Sequence, residues 1–259
     1  MKKLSTLFLA AAIAVMAAVS CTKPGEEGGE GGSSSKDFKD KYDIYEGVEA
    51  VDLGLPSGIK WARCNLGASK PWEVGDFFAW GETSPKTEFT LANYKFMSTV
   101  QSGWHPTKYN RYMFSTLRDD KYALEEEDDA ATVILGKEWY VPSPADFEEL
   151  KKSCKSERLY VHDVYCVKYT GPNGNAILFP CGGQWEIARD KTVAENGYVK
   201  QGFYWTNVFG MVDERDKFAQ EEAIAWWLNA NGSYLYDHTY RMYRPSGLNI
   251  RPVSGGKRY

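Results

Sequence analysis

This chain has little with which to do chemistry. Its 259 residues include only three histidines, His105, His162 and His238. No HExxH, GxSxG or phosphate-loop pattern runs through it. No two cysteines have CxxC or zinc-ligand spacing, so neither a metal centre nor a cofactor is expected. Lysine and arginine do not cluster, which argues against nucleic acid as a partner. The run from Leu7 to Val19 falls short of the about 20 apolar residues that a membrane-spanning helix needs. Paired carboxylates of a glycoside hydrolase are the one catalytic arrangement left open, because their separation of roughly 5–9.5 Å is set by the fold. An enzyme is therefore not expected.

What is present starts with an address. Lys2 and Lys3 precede the apolar run, and Ala18-Val19-Ser20-Cys21 closes it. Residues 1–20 thus read as a secretory signal peptide. The small residues before Cys21 resemble a bacterial lipoprotein processing site, with Cys21 the lipidated first residue of the mature chain. Residues 21–47 continue as a Gly/Glu/Ser linker that cannot bury a core. Glu26 and Glu27 resemble the acidic export signal of Bacteroidetes surface lipoproteins. The expected location is the outer membrane, held by lipid alone and facing outward, with a periplasm-facing anchor as the alternative.

Residues 48–259 read as one domain. Val48–Leu53 and Ile59–Cys64 flank the turn Leu55-Pro56-Ser57-Gly58, and residues 74–80 read as another extended segment. Residues 81–124 show no period and read as an insertion or long loop. Two helices follow. Asp128-Asp129 suits a helix N-terminus, with Gly136 as its stop. Ser143-Pro144-Ala145-Asp146 places a cap, a proline at the first turn and an acid at the third position. The acidic run Glu125 to Asp129 reads as a solvated helix start rather than a metal site. After Val161 the chain is β-rich, with strands expected at residues 203–207, 223–229, 233–237 and 249–253. Strands, two helices, then more strands predict an α+β fold with antiparallel sheets.

Two hairpins generate sharper expectations. Asn173-Gly174 as a two-residue turn sets Cys166 opposite Cys181. Cross-strand β-carbons lie about 4.5–5.5 Å apart, so either a slightly strained disulfide or two buried thiols fits. Asn231-Gly232 as a second such turn sets Trp227 opposite Tyr236 and Asn229 opposite Tyr234. Alternation then gives an apolar inner side with Ile224, Trp226, Leu228 and Leu235. The other side carries Trp227, Asn229, Tyr234, Tyr236 and His238, followed closely by Tyr240, Arg241 and Tyr243. An exposed face of that kind stacks on sugars or anchors proteins. If the insertion covers it, it is core.

An ordered set of blocks carries a resemblance. Val51-Asp52-Leu53-Gly54-Leu55-Pro56-Ser57-Gly58-Ile59-Lys60-Trp61-Ala62 is similar to the opening of the Fibrobacter succinogenes major paralogous domain and its Bacteroidetes relatives. Gly75-Asp76-Phe77-Phe78-Ala79-Trp80-Gly81-Glu82, Asp128-Asp129-Ala130-Ala131 and Trp139-Tyr140-Val141-Pro142-Ser143 continue the match, as do Asn173-Gly174-Asn175, Tyr204-Trp205-Thr206 and Arg251-Pro252-Val253. The resemblance implies a C-type-lectin-like fold. It does not imply calcium-dependent sugar binding, because the Glu-Pro-Asn and Trp-Asn-Asp motifs are absent. The late cysteine pair of the formylglycine-generating enzyme, a relative of that fold, is absent too.

The expected function is a cell-surface binding module that recognises an extracellular glycan or protein through its aromatic face. A structural or adhesive envelope component and a polysaccharide hydrolase are the alternatives. The anchor is directly testable. Labelled palmitate fed to producing cells should enter the parent chain and not a Cys21→Ser variant, and protease added to intact cells should degrade the protein.

Overall fold

A return of the chain on itself closes the domain. Near the C-terminus, Val253 pairs with Trp61 on one side and Tyr140 on the other. The computed structural model describes residues 43–45, 47–100, 103–185, 200–210, 213–215, 218–230 and 235–256. The signal peptide, Cys21 and most of the linker lie outside them.

The strands are β1 (Asp43–Tyr45), β2 (Val48–Asp52), β3 (Lys60–Ala62), β4 (Met97–Val100), β5 (Gly103–Pro106), β6 (Trp139–Tyr140), β7 (Lys155–Val161), β8 (Val164–Thr170), β9 (Ala176–Pro180), β10 (Gln201–Phe209), β11 (Glu222–Asn229), β12 (Tyr236–Tyr243) and β13 (Val253–Ser254). The helices are α1 (Ala130–Leu135) and α2 (Pro144–Ser153). One sheet runs β1-β2-β3-β13-β6; the others are β7-β8-β9, β10-β11-β12 and the β4-β5 hairpin. All of these strand pairings are antiparallel. Mostly antiparallel sheet with two α-helices among the described residues agrees with the expected α+β class.

Both helices start where their caps require. Asp129 accepts from Thr132 N at 2.9 Å at the start of α1, and Gly136 ends it. At α2 the Ser143 side chain accepts from Asp146 N at 3.2 Å, and the Asp146 carboxylate accepts from Ser143 N at 2.7 Å. That reciprocal pair satisfies backbone donors the helix cannot satisfy itself.

The sheet β10-β11-β12 separates two cores. On one side Tyr204, Trp226 and Leu228 join α2 and the β7-β8-β9 sheet, and the Phe147 ring stacks on Trp226 at 5.1 Å. On the other side Phe203, Trp205, Ala223, Ala225 and Met242 pack with Trp80, Tyr94, Phe96 and Tyr109.

The insertion, residues 81–124, carries the β4-β5 hairpin and packs its Phe89, Tyr94, Phe96 and Tyr109 into the core. Other expectations are corrected here. Residues 74–80 form no strand; Phe78 alone bridges to Leu248. Cys166 and Cys181 do not face each other. The turn after β8 has three central residues, with Gly171 N bonded to Asn175 O at 2.8 Å and Gly174 at φ 86°. A glycine in the left-handed region is what such a loop uses. The register moves by one, Cys166 meets Pro180, and Cys181 N bonds to Tyr165 O. Neighbouring strand residues point to opposite faces, and both thiols are free.

The anchor of the second core is Arg244, fully buried. Its guanidinium donates to Tyr94 Oη at 3.0 Å and to the carbonyls of Lys108 at 2.9 Å, Gln220 at 3.1 Å and Tyr109 at 3.4 Å. Removing it strands those acceptors in a dry interior. Arg244→Met should therefore cost about 3–5 kcal/mol, or roughly 10 °C of melting temperature. Arg244→Lys should cost nearly as much, because one ammonium cannot span four oxygens. Thermal melts of the two variants beside the parent test this.

Candidate functional site

The β11–β12 hairpin positions the aromatic residues singled out from the sequence. Its register is two residues away from the expected one: Trp227 pairs with His238 and Asn229 with Tyr236. A shift of two preserves the faces, since side chains alternate with period two. The turn residues and Tyr234 lie outside the described residues.

One face carries Trp227, Asn229, His238 and Tyr240 together, with Phe203 supplied by β10. Trp227 lies parallel to Phe203 at 6.3 Å, meets His238 edge-on at 4.9 Å, and has Tyr240 at 5.9 Å. Trp227, Asn229 and His238 are half-buried, while Tyr240 is 49% exposed. Tyr236 pairs with Asn229 in the register. Arg241 and Tyr243 do not belong there. They alternate to the opposite side, where Arg241 pairs with Glu222 at 3.3 Å.

This face is divided along its length. At the Ala223, Ala225 and Met242 end the insertion covers it, and those residues are buried. At the Trp227 and Tyr240 end it is open enough to form a ledge. Of the two alternatives, an exposed platform or a face covered as core, each describes one end of it. Of the inward set, Trp226 and Leu228 are fully buried, whereas Ile224 and Leu235 are half-buried. Phe203 was not among the sequence candidates, although alternation along its strand was the signal that could have found it.

The acidic run is the second cluster. Glu125, Glu127 and Asp128 each place a carboxylate oxygen within 4.8 Å of the others. The Lys108 ammonium sits among them, 2.6 Å from Glu125, 3.0 Å from Glu127 and 2.5 Å from Asp128. Lys95 reaches the other Asp128 oxygen at 2.6 Å, and Tyr109 donates its hydroxyl at 2.7 Å. The chain's own ammonium thus occupies the position a cation would take. The run is not a solvated helix start throughout: Glu126 and Glu127 are exposed, but Asp128 and Asp129 are buried.

Burial works against the Asp128 charge, but hydrogen bonds from Lys108, Lys95 and Tyr109 outweigh it and hold the carboxyl below its ordinary value. Lys108 and Lys121 lower Glu125 in the same way. Burial pushes the thiols up, Cys154 to about 11 and Cys166 to about 12, with Cys64 and Cys181 also raised. Such thiols stay protonated and are poor nucleophiles. The histidines occupy separate elements: His105 on β5, His162 at the tip between β7 and β8 against Trp72, and His238 on β12.

No family model matches the chain, and no curated protein or solved structure is significantly similar to it. No helix among the described residues is long and apolar enough to cross a membrane.

The cage has an acid signature. Carboxyls lowered in the folded state stabilise it fully above their unfolded values of 3.8 and 4.5, and that contribution is lost as pH falls through the folded ones. The parent should lose melting temperature steeply below about pH 4. Asp128→Asn should melt lower at neutral pH, by about 3 kcal/mol, with a flatter acid limb. Melting curves from neutral to acid pH check both.

Proposed function

We propose that this chain is a cell-surface lipoprotein whose C-type-lectin-like domain binds an extracellular glycan or protein through the Trp227 ledge. The observation that carries the reading is the half-open cluster of Trp227, His238 and Tyr240, a group of rings left partly uncovered on a sheet that packs into core on both sides. A rigid sheet under rings with polar tips offers large contact area at little conformational cost. The fold assignment is supported by the sequence blocks from Val51 to Val253. Their Trp61, Trp80, Trp139, Tyr204, Trp205 and Arg251 are all buried at 0 or 1% exposure, so the blocks describe a shared interior. The protonated thiols favour a binder over an enzyme.

A glycan and protein array probed with the purified protein tests this. The parent should bind at least one class of ligand. Tyr240→Ala should weaken binding about tenfold, 1.4 kcal/mol, with almost no change in melting temperature. Trp227→Ala should weaken it further. Binding that survives both substitutions, or an array with no signal, would sink the proposal.

A further inference from the structure

The register of β10-β11-β12 sorts charge. On the ledge face, the described positions from Gln201 to Trp205 on β10, and all those of β11 and β12, hold no Asp, Glu, Lys or Arg. Glu222, Asp237 and Arg241 all alternate to the other face. Among those described strand positions the side chains beside the rings are amide and imidazole: Gln201, Asn229 and His238. In addition, the Trp227 indole N–H is covered and has no hydrogen-bond partner among the described residues. A buried donor left unpaired costs about 1–3 kcal/mol, which a ligand oxygen reaching it would recover.

We infer that the ledge takes a neutral saccharide, an inference that rests on the binding function proposed above. The C–H face of a sugar ring lies flat on Trp227 and Tyr240. Its hydroxyls exchange hydrogen bonds with Asn229 and Gln201, and one of them accepts from the Trp227 N–H. An acidic polysaccharide fits poorly, because desolvating a carboxylate or sulfate against an uncharged face is penalised with nothing to offset it. A protein partner carrying charges at its contact meets the same penalty.

Native gels containing one polysaccharide each separate the outcomes, with laminarin, yeast mannan and xyloglucan as neutral probes and polygalacturonate, alginate and chondroitin sulfate as acidic ones. At least one neutral polymer should retard the protein. The retardation should persist in about 1 M NaCl, where the Debye length is about 3 Å, and weaken about tenfold in Tyr240→Ala. Asn229→Ala, which leaves the rings in place, should weaken it as well. Retardation by acidic polymers alone, released by salt, overturns the inference while leaving glycan binding intact. Retardation by none overturns it together with the glycan half of the proposed function, and protein hits on the array would then stand alone.

Discussion

The domain depends on two fully buried guanidinium groups. Arg244 lies among five rings, with Trp80, Tyr94, Phe96, Phe209 and Tyr109 between 5.1 and 5.9 Å from its central carbon. Arg251 does the same service for the other core. It donates to Asn65 at 2.8 Å, to the carbonyls of Ala62 and Arg63, and to Leu178 O at 2.6 Å, above the Phe179 ring. Arginine alone has enough donors, fixed in a plane, to satisfy that many carbonyls at once. Each group therefore ties together segments that are distant in sequence: residues 94, 108, 109 and 220 for Arg244, and residues 62, 63, 65 and 178 for Arg251.

That constraint decides where binding can occur. Once Arg244 has drawn residues 94–109 onto the β10-β11-β12 sheet, the Ala223 and Ala225 end of the sheet is closed. Phe147 and Leu150 of α2 sit against Trp226 and its neighbours and close the opposite face there, while Thr239, Arg241 and Tyr243 at its β12 edge stay exposed. Among the described residues no equivalent clamp reaches the Trp227 end. The Lys108 cage follows from the same packing, since the Lys108 carbonyl accepts from Arg244 while its ammonium reaches Asp128. One residue thus joins the aromatic core to the start of α1. The acidic cluster is satisfied within the chain.

Local chemistry was readable from sequence, and packing chemistry was not. The caps of α1 and α2 are written in Asp129, Gly136, Ser143 and Asp146, whose effects extend over one helical turn. The hairpin strands were placed by alternation, yet both turn registers were missed, by one residue at Cys166 and by two at Trp227. A two-residue turn and a longer loop differ by backbone angles that an Asn-Gly pair leaves open. The even shift at Trp227 preserved its face, while the odd shift at Cys166 separated the two thiols. Residues 81–124 looked structureless because their ordering comes from rings gathered around an arginine 120 or more positions downstream of most of them, and no short-range period encodes that.

The same distinction separates what the sequence blocks say from what the ledge says. Trp61, Trp80, Trp139, Trp205 and Arg251 of the blocks are all buried, so those segments of the sequence build the interior. Trp227, Asn229, His238 and Tyr240 fall between the blocks, on a part of the central sheet that the described residues leave partly open. A fold maintained by its interior is free to vary such an edge without disturbing either core, since Tyr240 contributes little to burial and Asn229 sits at the last paired position of its strand. The identity of the ligand has to be argued from these few side chains, and their lack of formal charge is the most selective property they share.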